Sequence, residues 1–375
     1  MIVGSGENRA NPVFIPGLDL SGLFYEEAVA PLLAEHFPGL PHSAALIGYG
    51  SEVQGFDTER STDHNWGPRL QLYLSEADHA REATAIGEML SRRLPPVFRG
   101  YSTHFGEVSP DGARHMSASD DGVIEHKVEV HAATTWFTSH LGFDPLGAIS
   151  VVDWLTVPQQ MLVEVTAGRV YHDGLGLLHS VRERLAWYPD DVWRYLLAAQ
   201  WGRISQQEAF VGRTGEVGDD LGSALVASDL VRDLMRLCFQ LERRYAPYSK
   251  WFGTAFARLE CAPRMLRHLD AVLAARNWRE RERHLAPAYE LAARMQNALS
   301  IAPEVESTVR HFHTRPFLVL HAERFSEAIQ GAIIDRDVLA LIDRVGLVGG
   351  IDQISDNVDL KANPALFAKM RAFCG

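Results

Sequence analysis

The hydrophobic period changes once along the chain, and that change limits the fold more than any other feature. Up to about residue 177, short apolar segments of differing period alternate with glycine- and proline-bearing turns. Beyond it, apolar residues recur at helical spacing with few interruptions. A chain written this way predicts a small mixed α/β domain followed by an all-helical one. We place these at residues 1–180 and 181–375, with the boundary in the stretch 177–189.

Individual segments follow from their periods. Residues 20–36 carry Leu23, Ala28, Leu32 and Leu33 at helical spacing and stop at Phe37-Pro38-Gly39. Residues 44–47 are a short apolar run. In 69–74, Leu70, Leu72 and Leu74 alternate with Arg69, Gln71 and Tyr73, the pattern of a half-buried strand. Residues 80–93 read as a helix, 123–130 and 160–165 as strands, and 168–174 as a strand running into a turn. In the second half, Asp219-Asp220 precedes Leu221, Leu225, Val231, Leu234, Leu237 and Leu241, a capped amphipathic helix. Helical spacing also covers 190–201, 265–276, 286–298 and 335–345.

Composition removes several function classes. The formal charge of −12 opposes a protein that coats nucleic acid, because duplex binding rests on clustered Lys and Arg. No apolar run approaches the roughly 20 residues that span a bilayer. Residues 1–12 lack a basic n-region and an apolar h-region. The 3 cysteines form no CxxC pair, and a reducing cytoplasm is the expected compartment. The closest histidine pairs, His126/His131 and His311/His313, lack zinc-site spacing, and a turn or surface role is expected of His311 and His313. Neither a third Rossmann glycine, nor a P-loop, nor a Gly-x-Ser-x-Gly elbow is present.

The chemistry-bearing stretch is Gly48-Tyr49-Gly50-Ser51, followed about a dozen residues later by Thr62-Asp63-His64-Asn65-Trp66. A Gly-Ser turn that opens a helix offers amide donors and a hydroxyl to an anion. Asp63 and Asn65, two apart on an extended strand, would face the same side. Two such oxygens suit a hard cation such as Mg²⁺. Glu129, inside Lys127-Val128-Glu129-Val130-His131, would supply a third oxygen ligand from a neighbouring strand, with Glu125 the weaker choice. The bland readings are a turn at Gly48–Ser51, a cap at Asp63 and a solvent-facing strand position at Glu129.

The string Gly50-Ser51 … Asp63-His64-Asn65 resembles the signature of the nucleotidyltransferase superfamily, and the wider text around it looks like an uncharacterised bacterial branch. Residues 168–173 are similar to the late strand and turn of antibiotic nucleotidyltransferases, and the similarity runs on into 219–250. The resemblance implies a small mixed sheet backed by helices, a helical domain beside it, and transfer of a nucleoside monophosphate from a triphosphate (ATP first) to a hydroxyl. It implies that Gly50 and Ser51 meet the phosphates, that Asp63 bridges Mg²⁺ ions and that Glu129 is the third acid. Lys250 would reach the nucleotide's phosphates, and Asp220, with Glu216 behind it, would be the general base. The expected partner is a small-molecule acceptor, with no nucleic acid and no membrane.

One position departs from the signature. Its second acid is Asn65 here, and a neutral amide oxygen lacks the charge that holds a second ion. The alternatives to a transferase of small molecules are therefore a weakened nucleotide-binding sensor or partner protein, and a protein-modifying transferase.

Overall fold

The computed structural model describes residues 13–106, 108–109, 114–117 and 122–374, with the side chains of Asp63, Phe373 and Cys374 outside the description. The chain divides into two compact units: residues 1–147 with 163–186, and residues 148–162 with 187–375. The single boundary expected near residue 180 is thus replaced by three crossings. Residues 148–162 go with the second half because Trp154 is buried against Tyr188, Asp153 pairs with Arg371, and Gln159 accepts from the Ala246 amide at 2.7 Å.

The first unit is built on a four-stranded sheet in the order β5-β2-β1-β6. Its strands are β1 (Ser43–Leu46), β2 (Arg69–Leu74), β5 (Lys127–Ala132) and β6 (Arg169–Asp173); β3 (Val97–Phe98) and β4 (Tyr101–Ser102) form a separate two-stranded pair. β1 lies antiparallel to β2 and β6, while β2 and β5 run parallel with Arg69 opposite Lys127 and Gln71 opposite Glu129. The parallel pair needs a crossover, which includes the helix Glu76–Arg93, capped by the Ser75 hydroxyl.

One sheet face carries Leu70, Leu72 and Leu74. They join Leu20, Phe24, Val29 and Leu33 and, from the crossover helix, Ile86 and Leu90 in one core. The helical segment expected at 20–36 begins earlier, at Gly17, and contains a π-turn, Tyr25–Val29. β2 differs from the expected half-buried strand, because Arg69, Gln71 and Tyr73 are also closed to water. Tyr73 is covered by Trp136 and Phe137 of the helix Ala133–Leu141, and Arg69 by the Tyr49–Glu52 turn.

Residues 160–165, expected as a strand, lie in the helix Gln159–Thr166. A short apolar run does not distinguish the two by period alone. Here Met161, Leu162 and Val165 share a buried helical side, and the Pro158 carbonyl accepts the Met161 amide at 3.0 Å. The strand expected at 123–130 begins only at Lys127 and runs to Ala132.

The second unit holds the long helices Asp190–Gln207, Asp220–Leu241, Ala262–Ala274 and Trp278–Ala298, with a hairpin of β7 (Arg310–Phe312) and β8 (Arg315–Val319). Trp193 and Trp201 are core residues that donate to the Gln240 carbonyl and the Gln296 side chain. His311 lies on β7 and His313 in the hairpin turn, at φ 55°. No helix among the described residues is long and apolar enough to cross a membrane.

Candidate functional site

The strand directions gather the signature segments at one end of the sheet. β1 ends at Leu46 and leads into Gly48–Ser51; β2 begins at Arg69 directly after the 59–66 loop; β5 begins at Lys127 beside it. A cavity of about 390 Å³ opens there, lined by Tyr49, Asn65, Val108, Arg114, His126, Lys127 and Glu129.

The Gly48–Ser51 segment differs from the expected anion cradle. Ser51 opens a hydrogen-bonded turn rather than a helix, and its carbonyl accepts from Phe56 at 2.9 Å. The segment is instead moulded around two buried polar side chains. Gln71 clasps both backbone groups of Ile47, at 3.0 and 2.9 Å. Arg69 donates to Glu52 at 2.8 Å and to the Tyr49 carbonyl at 2.6 Å. Gly50, at φ 129°, is required by that packing: a Cβ there would sit 2.5 Å from Arg69 Nη2 and 2.6 Å from Glu52 Oε2.

The Asp63-His64-Asn65 segment is not the extended strand that sharing one face requires. Asp63 ends a 3₁₀ turn, Glu59–Asp63, His64 is extended, and Asn65 is left-handed at φ 53°. The side chain of Asp63 lies outside the described residues. The Asn65 oxygen accepts from Lys127 Nζ at 2.6 Å and from the Arg114 amide at 3.2 Å, while the Asn65 amide donates to the Arg114 carbonyl at 2.8 Å. An amide oxygen has two acceptor lone pairs, and both are taken. Asn65 as arranged therefore does not fit a Mg²⁺ ion.

Glu129 does reach the cavity. Its carboxylate lies 3.5 Å from the Tyr49 hydroxyl, which donates to it, and 3.3 Å from His131 Nε2. Burial pushes this carboxyl up, but His131, Arg69 and Lys127 outweigh burial and hold it below the usual glutamate value. Lys127 also contacts the Tyr49 hydroxyl at 3.5 Å, and its ammonium lies over the rings of Tyr49 and Phe105 at 5.7 and 5.5 Å. Burial, with Arg69 and Arg114 adding to it, lowers the Lys127 ammonium to about 8. Arg114 pairs with Glu125 at 2.5 Å, so Glu125 is engaged outside any ligand set.

Among the described residues no group of three or more His, Cys, Asp or Glu could hold a metal ion. Glu129 is the one carboxylate among the described residues that line the cavity. Trp66, which ends the acid-loop string, is a core side chain that donates to Asp57 at 3.1 Å and stacks on Phe14.

Asp220 and Lys250 belong to the second unit. Asp220 is the first residue of Asp220–Leu241, follows the capping Asp219, and lies 3.7 Å from Arg281. Lys250 is in the first turn of Ser249–Phe256, with its ammonium over the Trp251 ring at 5.1 Å. A second cavity, of about 380 Å³, lies within this unit between Arg236, Tyr248, Phe252 and Lys361.

Lys127, Tyr49 and Arg114 escaped the sequence reading. Lys127 had a signal, because it stands two residues before Glu129 and so shares its strand face. Arg114 had none, being brought in by its backbone pairing with Asn65.

A family model described as a domain of unknown function (DUF4037) matches residues 154–252, a stretch that includes β6, Asp220 and Lys250 but none of the cavity residues of the first unit. No curated protein and no solved structure matches the chain.

Proposed function

We propose that the first unit binds a Mg²⁺–nucleoside triphosphate and transfers its nucleoside monophosphate to the hydroxyl of a small molecule. The observation that carries this reading is the shared cavity: Tyr49 of the Gly-Ser loop, Asn65 of the acid loop and Glu129 of β5 all line it. A fold-level likeness alone would be a weak warrant, since function resides in the site. In the proposed step the acceptor oxygen bonds to the α-phosphorus, the bond from that phosphorus to the bridging oxygen breaks, and pyrophosphate leaves. The hydroxyl proton passes to a general base. Mg²⁺ arriving with the nucleotide supplies charge neutralisation on the phosphates. Asp63 and Glu129 are the carboxylates proposed to face it. Glu129 is suited to that part because its neighbours keep it ionised near neutrality.

The test is incubation with α-labelled ATP, Mg²⁺ and a panel of hydroxylated small molecules. The reading expects label in the small-molecule fraction, with one pyrophosphate released per transfer. Label on protein alone would move the acceptor to the protein-modifying alternative. The second reading, a nucleotide-binding protein with little turnover, is favoured by the occupied Asn65 oxygen; nucleotide binding without label transfer would select it.

A further inference from the structure

Three observations around Asn65 concern charge. First, the ammonium of Lys127 is held at 2.6 Å by a neutral oxygen. An aspartate at this position would neutralise it; an asparagine positions it and leaves its charge free. Second, the other cations nearby are already paired: Arg69 with Glu52 at 2.7 Å and Arg114 with Glu125 at 2.5 Å. Among the described residues no carboxylate is within ion-pair distance of Lys127, and the Tyr49 hydroxyl stands between it and Glu129, 3.5 Å from each. Third, Lys127 and Asn65 both line the cavity of about 390 Å³, and Lys127 reaches it from a position otherwise almost closed to water.

We propose that Asn65 and Lys127 act as one device, an ammonium ion positioned by an amide, that binds a phosphate group of the ligand where an acid pair would otherwise hold a second cation. The exchange is balanced in charge. An acid with a divalent ion leaves a net charge of about +1 at that spot, and an amide with an ammonium leaves the same, by simple counting of ligand charges. The position differs in one respect: an ammonium needs no metal to attract an anion, and it acts as a point charge. Lys127 is thereby a binding residue and Asn65 a positioning residue. This deepens the proposed function and rests on it for the identity of the ligand, a polyphosphate.

The experiment is calorimetric titration of inorganic tripolyphosphate in EDTA, with Mg²⁺–ATP titrated in parallel. It uses the full chain as wild type, Lys127→Met, Lys127→Arg and Asn65→Asp, each checked for an unchanged circular dichroism spectrum. The device predicts that wild type binds tripolyphosphate without metal. Lys127→Met should weaken that binding by about tenfold or more, the scale of one lost charge-assisted contact. Lys127→Arg, which keeps the charge, should restore most of it. Asn65→Asp should weaken it as Lys127→Met does, because the new carboxylate pairs with the ammonium. Tripolyphosphate binding that is absent from wild type, or indifferent to Lys127→Met and Asn65→Asp, overturns the proposal. The two readings fail separately. Metal-free binding at Lys127 with no response to Mg²⁺–ATP removes the nucleotide and leaves the device; Mg²⁺–ATP binding indifferent to Lys127→Met removes the device and leaves the nucleotide.

Discussion

Arg69 and Glu52 form an ion pair 2.7 Å apart with both side chains almost closed to water. The pair joins the first residue of β2 to the turn after β1, and Arg69 also holds the carbonyl of Tyr49, which lines the cavity. Removing one member leaves the other charge buried and unpaired, at a cost of about 3–5 kcal/mol. Glu52→Ala should therefore lower the denaturant midpoint of the first unit sharply. The double variant Arg69→Met/Glu52→Leu should recover most of that loss. Equal destabilisation in the single and double variants would mean that the charge pairing is not what matters.

Gly50 gives a second, independent prediction. Its φ of 129° and the 2.5 Å approach of Arg69 to a Cβ position mean that Gly50→Ala must both strain the backbone and displace the Arg69–Glu52 pair. We expect destabilisation of about 2 kcal/mol or more, from strain of about 1–3 kcal/mol plus the clash. A role confined to phosphate contact would instead leave the melting temperature unchanged and weaken ligand binding alone.

The helical unit carries a pH dependence of its own. Glu208 accepts from the Leu320 and Ala322 amides at 2.7 and 3.0 Å, yet burial pushes its carboxyl up to about 7. Between its ordinary value of 4.5 and about 7, the folded protein keeps a proton that the unfolded chain has released. The Glu208 contribution is therefore complete below the ordinary value and is lost as pH rises through about 7. Glu282, also raised to about 7 by burial, acts in the same sense. Urea midpoints measured from pH 5 to 8 should fall less steeply in Glu208→Gln than in wild type. Parallel slopes would contradict the assignment.

Much of this architecture was legible from local pattern. Asp219 caps the long helix, as its place before a 3.6-residue period implies, and β2 and β6 fall where alternation and the 168–174 turn put them. Residues 160–165 were not legible, because four apolar residues in six suit either element and the partner of Gln160, the Tyr248 amide, is distant in sequence. The cavity was half legible. Glu129 and the loops around Gly50 and Asn65 could be found from spacing, but the conformation of Asn65 and the cation at its oxygen depend on contacts with Arg114 and Lys127, 49 and 62 residues away. Likewise Gly50 looked like a phosphate cradle because a glycine string does not reveal that Arg69 and Glu52 lie against it.

The most direct test of the nucleotide-site claim is calorimetric titration of ATP, GTP, CTP and UTP with and without Mg²⁺, on wild type, Asp63→Ala and Glu129→Gln. The account predicts Mg²⁺-dependent binding of at least one triphosphate, weakened by about tenfold or more in each variant, the scale of a lost charged contact. Failure of every triphosphate to bind wild type, or binding that both variants leave untouched, would contradict it.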